Sequence, residues 1–287
     1  MPEQGGRTIE IKKRIIAWLI LIFAICADAR AGGETLEVLF FDCGKADCAL
    51  ILQGGHAMLI DAGYDTEAPY VLRRLAEEGV ETLAALLVTH EHKDHSGGAG
   101  QILEALKAER VFMGPEIEGG NRHTDLLGSV MRDMGLPAEP LLAGDAFELG
   151  SARITVLGPP EFRDGRSANN ASIVVRVDFG NTRFLFTGDI ENRAIRELLD
   201  APVNAQVLKA PHHGGRSKLS SDFFEAVSPD IAVITCERDV WNNFPDPATV
   251  EDLVCLGAEV FITGDGEVRI VSDGESLEVY VESPRYP

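Results

Sequence analysis

The hydrophobic positions of this chain fall into short runs separated by glycine-containing turns, a pattern that predicts strands with helices interspersed. Leu36 to Phe41, Cys48 to Gln53 and His56 to Ile60 read as strands, divided by turns at Gly44 and at Gly54-Gly55. From Thr66 to Gly79 the period lengthens: Val71, Leu72 and Leu75 share one face and Gly79 supplies a stop, so a helix is expected. Ala84 to Val88 is a continuous apolar run, as a buried strand requires, and Gly97 to Ala108 turns helical again. A second series has strands over Ala152 to Leu157, Ser172 to Phe179 and Thr182 to Thr187, the last two joined by the hairpin pair Gly180-Asn181. Helix Ile190 to Leu199, strands Gln206 to Lys209 and Ile231 to Thr235, and helix Ala248 to Leu256 come next. The closing strands are Glu259 to Ile262, Glu267 to Val271 and Leu277 to Val281. Two strand-rich halves, each with its own helices, predict an α+β protein in which two sheets pack face to face with helices outside.

The first residues follow another rule. Lys12, Lys13 and Arg14 precede an uncharged apolar run from Ile15 to Ile25, shorter than the roughly 20 residues that cross a membrane. Small-x-small sites follow at Ala27-Asp28-Ala29 and Ala29-Arg30-Ala31. Residues 1–31 are therefore expected to be a signal peptide, or an N-terminal anchor if they stay uncut, and the folded part to be exported to the periplasm or the medium. The 287-residue chain carries a net charge of −20, which keeps it soluble and disfavours tight nonspecific binding to nucleic acid. Cys43, Cys48, Cys236 and Cys255 lack zinc-finger spacing. Cys43 and Cys48 could close a short loop in an oxidising compartment or stay reduced and buried.

The chemistry concentrates where the strand Ala84 to Val88 ends, at Thr89-His90-Glu91-His92-Lys93-Asp94-His95. Four ligand-type residues within six positions, in a turn, can face a small cavity from several sides. Imidazole and carboxylate donors suit zinc, manganese or iron, and the lack of clustered thiolates argues against a purely structural zinc site. Gly97-Gly98-Ala99-Gly100 lacks the Gly-Lys-Ser/Thr of a phosphate loop and reads as a helix start. Trp241 and Phe244 read as pocket lining or partial core.

The string Thr-His-x-His-x-Asp-His-x-Gly-Gly resembles the signature of the metallo-β-lactamase superfamily, and other matching motifs follow in order. Phe41 to Cys48 and Leu59-Ile60-Asp61-Ala62-Gly63 are similar to the opening of that fold. Phe186-Thr187-Gly188-Asp189 is similar to its metal-bridging aspartate motif, and Lys209-Ala210-Pro211-His212-His213-Gly214 to its last histidine motif. Within the superfamily, Asp42-x-Gly44-x-x-Asp47, Asn169-Asn170-Ala171-Ser172 and Pro211-His212-His213-Gly214 most resemble the soluble hydrolase domain of the ComEC family of DNA-uptake proteins and its free-standing relatives. The likeness runs from about Leu36 to Thr263 and implies one αββα domain over residues 32–287.

The resemblance and the donor chemistry together assign His90 and His92 to one metal ion, Asp94 and His95 to a second, and Asp189 to both. His212 or His213 completes the second site, and the other faces substrate. Asp61 orients a ligating histidine from behind, as metal-bound imidazoles require. Asp94, Asp189, His213 and Asn170 are the expected catalytic set, with Asn170 steadying charge on substrate oxygen. Asn169, Asn170, Arg216, Lys218 and Asn243 are the candidate substrate contacts. The interval that carries a further metal-binding histidine in many superfamily members holds only His123, in an expected helix, while the ComEC-like pattern places asparagine there; the first site is thus expected to be ligand-poor. Asp246 stands where that pattern has a histidine before proline.

Two divalent ions, Zn²⁺ or alternatively Mn²⁺, would lower the pKa of a shared water and direct it at phosphorus or a carbonyl carbon. The expectation is an exported phosphodiesterase acting on a small-molecule or phosphoester substrate, without a stable protein partner. The alternatives are a lactone, thioester or β-lactam hydrolase, and a binding protein that keeps the fold without catalysis.

Overall fold

A computed structural model describes residues 12–13, 34–114, 124–161, 165–238 and 244–283. The expected export segment therefore lies outside the described residues except for Lys12–Lys13, a two-residue strand beside Leu277–Val281. His123, Trp241 and Asn243 also lie outside them.

Two large mixed sheets form. In the first, the spatial order is Lys12–Lys13, Leu277–Val281, Val268–Ser272, Leu36–Phe40, Ala49–Gln53, His56–Ile60, Ala85–Val88, Val111–Met113 and Ala138–Glu139. The second runs Ala146–Leu149, Ala152–Gly158, Val174–Phe179, Thr182–Phe186, Val207–Lys209, Ile231–Ile234 and Glu259–Ile262. The chain closes on itself, because its last two strands return to the first sheet beside Leu36–Phe40.

Side-chain alternation dictates the layers. Leu36, Val38 and Phe40 face the core between the sheets, where they meet Val175, Val177, Phe184, Phe186, Ile231 and Val233 of the second sheet. Leu39 and Phe41 point the other way, into a second core with Val71 and Leu75 of helix Ala68–Glu77, Ile102 and Leu103 of helix Ala99–Ala105, and Leu127 of helix Asp125–Met134. The second sheet repeats the arrangement: Leu185, Leu208, Ala232 and Ile234 pack against helices Asn192–Leu198, Ser220–Val227 and Pro247–Cys255. A strand buried on both faces must be apolar at every position, which is why Ala85–Val88 reads as one uninterrupted run. The result is the expected four-layered αββα sandwich.

The helix expected over Gly97 to Ala108 is shorter, spanning Ala99–Ala105. A short helix, Lys93–Ser96, precedes Ala99–Ala105, and the chain then extends into Lys107–Ala108, which pairs with Thr82–Leu83. The glycine pair between these helices is a close-approach device rather than a phosphate loop. A Cβ at Gly97 would lie 2.4 Å from the Lys93 carbonyl oxygen and 2.8 Å from the Asp65 nitrogen, and one at Gly98 would lie 2.4 Å from the Ala62 carbonyl oxygen. The ligand-rich turn can thus sit directly on the loop that follows strand His56–Ile60.

Candidate metal centre

The first sheet delivers two loops to the same end of the sandwich, one after His56–Ile60 with Asp61, the other after Ala85–Val88 with His90 to His95. The second sheet delivers Asp189 after Thr182–Phe186 and the histidine pair after Val207–Lys209. Backbone hydrogen bonds knit them: Ala62 N–H donates to the His95 carbonyl at 2.7 Å, Ile173 N–H to that of Thr89 at 3.0 Å, and His212 N–H to that of Gly188 at 3.2 Å.

Asp94, His95, Asp189 and His213 offer donor atoms that all lie within 4.8 Å of one another, and His90, His92 and Asp189 form a second such group sharing Asp189. His95 Nε2 is 3.2 Å from Asp189 Oδ1, and His213 Nε2 is 3.5 Å from Asp189 Oδ2 and 3.4 Å from Asp94 Oδ2. Three of these atoms, His95 Nε2, His213 Nε2 and Asp189 Oδ1, are buried without a hydrogen-bond partner. Buried polar atoms are normally satisfied, so a converging unsatisfied set fits a cation seated among them. In the other group His90 Nε2 lies 3.1 Å from His92 Nδ1 and 4.0 Å from Asp189 Oδ2. His92 is exposed while its partners are buried.

The rings are held from behind. Asp61 Oδ2 is 2.8 Å from His95 Nδ1, while its Oδ1 accepts the Thr89 N–H at 2.8 Å. The Thr235 carbonyl lies 3.0 Å from His213 Nδ1. Both acceptors require a proton on Nδ1, which makes Nε2 the atom that faces the cluster and would bind a metal on losing its proton. Asp61, at φ 59°, and His212 and His213, at 49° and 52°, adopt the left-handed backbone that costs a non-glycine residue energy. The packing around the cluster sustains that cost.

Charge follows the geometry. Burial alone would lower the pKa of His95, yet the Asp189, Asp61 and Asp47 carboxylates push it up to about 10. His213 is raised well above the ordinary value against the same burial effect, by Asp189 and Asp47. His90 goes the other way, kept well below the ordinary imidazole range by burial and then by His95 beside it. Burial alone would raise Asp94, yet the adjacent His213 and His95 imidazoles lower it to about 2.

The structure brings His213, not His212, into the four-residue group. His212 is half-exposed, with Nε2 at 3.9 Å from Asp189 Oδ2 and Nδ1 at 3.5 Å from Glu191 Oε1. Other expected contacts are committed elsewhere. Asn170 accepts from the Ala194 N–H at 3.0 Å and donates to Ser167 Oγ at 2.8 Å, so its amide buttresses helix Asn192–Leu198. Asn169 donates to Glu191 at 3.1 Å. Arg216 is tied to Asp252 at 2.9 Å and Ser221 at 3.2 Å, which binds its loop to two helices instead of leaving the guanidinium free for substrate. Lys218 is exposed. Asp246 caps helix Pro247–Cys255 by accepting from the Ala248 N–H at 2.9 Å.

Other residues around the site went unassigned in the sequence. Asp47 and Lys209 form a buried ion pair behind the cluster, and Thr235 donates its hydroxyl to Asp47. Ser172 accepts from the Asp189 N–H at 3.1 Å and lies 3.4 Å from His90 Nδ1. Lys45 sits with its ammonium 3.4 Å from the centre of the Phe244 ring, which in turn lies 6.4 Å from that of His212. Lys209 did leave a signal: a lysine closing an apolar central strand must find a buried partner.

The model of the metallo-beta-lactamase superfamily matches residues 41–236, the span that carries every donor of the cluster. The chain belongs to the metallo-beta-lactamase superfamily. It is similar to ComE operon protein 3 of Bacillus subtilis, 28% identical over 265 residues that cover 83% of this chain and 34% of that protein. The chain thus spans about a third of that relative's length. The hydroxyacylglutathione hydrolase of Dechloromonas aromatica is 33% identical over 229 residues, which cover 73% of this chain and 81% of the enzyme. The crystal structure of the metallo-beta-lactamase fold protein YhfI from Bacillus subtilis shares the fold at a TM-score of 0.54 and 15% identity, covering 80% of this chain and 96% of that one. In this superfamily member the His and Asp clusters are placed as metal-ligand candidates.

Proposed function

We propose that this chain is an exported phosphodiesterase whose Asp94, His95, Asp189 and His213 hold one divalent ion and whose His90, His92 and Asp189 hold another. The observation that carries the metal reading is the set of buried, unpartnered donors His95 Nε2, His213 Nε2 and Asp189 Oδ1. Such ions, if bound, would supply Lewis acidity and would lower the pKa of a coordinated water. The chain's own residues do the rest. Asp61 and the Thr235 carbonyl fix the tautomers of His95 and His213. His212, with Nδ1 3.5 Å from Glu191 Oε1, presents Nε2 beside Asp189; burial lowers its pKa, so it meets substrate as a neutral imidazole able to accept a hydrogen bond or a proton. Lys45, on the Phe244 ring next to His212, supplies positive charge for an anionic ester in a chain whose net charge is −20.

Hydrolysis of bis(p-nitrophenyl) phosphate should appear on addition of Mn²⁺ or Zn²⁺ and vanish in the double variant Asp94→Ala/Asp189→Ala. Activity that survives both changes would refute the reading. The hydroxyacylglutathione hydrolase relative supports a second reading, thioester hydrolysis on the same centre. A panel in which only thioesters turn over would select it. Export is tested by the N-terminus of the protein recovered from the producing cell, expected after Ala29 or Ala31; an intact Met1 on a soluble cytoplasmic chain would overturn it.

A further inference from the structure

Behind the four-residue half of the cluster lies a buried pair that has no part in the ligand set. Asp47 and Lys209 are each about 95% buried, and the Lys209 ammonium contacts Asp47 Oδ2 while donating to the Gly188 carbonyl at 3.1 Å. Thr235 donates its hydroxyl to Asp47 Oδ1. The same carboxylate lies 3.3 Å from His213 Nδ1 and 3.6 Å from His95 Nδ1. Its backbone is equally engaged: the Asp47 N–H donates to the Asp94 carbonyl at 3.0 Å, and the Asp47 carbonyl accepts from the Gly63 N–H at 2.9 Å. One residue therefore touches three of the four members of that half, Asp94 through the backbone and His95 and His213 through the side chain. None of its contacts reaches His90 or His92, and Lys209 lies 3.8 Å from Asp189 Oδ1, the oxygen 3.2 Å from His95, whereas His90 approaches Oδ2.

The arrangement is costly unless it has a task. Moving two charges out of water costs several kcal/mol each, and buried pairs can often be exchanged for apolar residues without loss of stability. Asp47, Asp61 and His95 also form a group whose donor atoms lie within 4.8 Å, so an unrestrained Asp47 could itself act as a ligand. The ammonium of Lys209 occupies that carboxylate instead.

We propose that Asp47 and Lys209 are the positioning pair of the four-residue site: the internal cation pins the Asp47 carboxylate where it fixes the backs of His95 and His213 together, across the two sheets. Both residues are positioning residues, since neither belongs to the two donor groups that share Asp189. The proposal rests on the cluster being a metal centre and makes a claim of its own, that the pair acts on one ion and not on the other.

The test is a competition titration with zinc and a chromophoric chelator on metal-stripped protein, with folding monitored by circular dichroism. The apolar double variant Asp47→Leu/Lys209→Met removes the pair without leaving a lone buried charge. It is expected to fold and to bind zinc about 10- to 100-fold more weakly at one site while the other stays within about threefold of the wild type, the range that partners behind metal ligands command. Thr235→Val, which deletes only the hydroxyl on Asp47, should weaken the same site severalfold. It decides the matter if the double variant does not fold. Wild-type affinity at both sites in the folded variants, or an equal loss at both, overturns the proposal. A wild-type chain that takes up no zinc overturns instead the metal reading on which it rests.

Discussion

Asp189 faces both halves of the cluster and His92 only one, so the two residues differ in the reach of their loss. Asp189→Ala should leave protein that retains neither ion after dialysis, whereas His92→Ala should lose one; metal content per chain measures both. The imidazole pKa values set a second expectation. In the metal-free protein His95, raised to about 10, and His213, raised as well, carry protons at neutral pH, while His90 does not. A metal ion entering the four-residue half must displace those protons, so its affinity rises with pH up to about 10. Stability of the metal-free chain moves the other way. A folded pKa above the unfolded value of about 6.5 stabilises fully below that value and loses its contribution as pH climbs toward 10. Melting of metal-free protein between pH 6 and pH 10 and zinc affinity over the same range should therefore trend in opposite directions. The donors were legible because most of them are local in sequence, four of them within His90 to His95. Asp47 was not legible as a site residue, because Thr235, to which it is bonded, lies 188 positions away and only folding joins them.

At the scale of elements, the sandwich holds the cluster through close backbone approaches that leave no room for a methyl group. Gly188, at φ +53°, would place a Cβ 2.8 Å from Ser172 Oγ and 3.1 Å from Thr89 Oγ1. Gly188→Ala should cost about 1–3 kcal/mol in urea unfolding and also weaken metal binding, because it pushes on both hydroxyls beside His90. Phe184→Ala, in the core between the sheets, should cost about 3–5 kcal/mol and leave the number of bound ions unchanged. The pair separates damage to the scaffold from damage to the site. Elements with two buried faces or clear helical periodicity were readable in advance, as Ala85–Val88 and Ala68–Glu77 illustrate. Thr82–Leu83 and Ala138–Glu139 were not, since two-residue strands carry no period, and the eight-residue helix Ser220–Val227 passed unnoticed in a stretch without strong periodicity. For Asn170 and Arg216 the sequence was silent on the helix-bracing hydrogen bonds they make, because a polar residue beside a motif reads the same whether it meets substrate, braces a neighbouring helix or does both.

For the whole molecule, the donors come from opposite sheets, His90 to His95 from the first and Asp189 and His213 from the second. Ions bound there would be cross-links as well as cofactors. With free zinc at about 100 times the dissociation constant, each site adds about 2.7 kcal/mol to unfolding. Stripping the metal should therefore lower the melting temperature by several degrees, and restoring zinc should recover it. That linkage ties the protein's lifetime to its surroundings. A chain that opens more often between its layers is cut more often by proteases, so if zinc is the bound ion, starvation for it would shorten the half-life and lower abundance at an unchanged rate of synthesis. Pulse-chase measurements with and without zinc would follow that turnover directly, and supply of the ion would then govern how much of the protein a cell keeps.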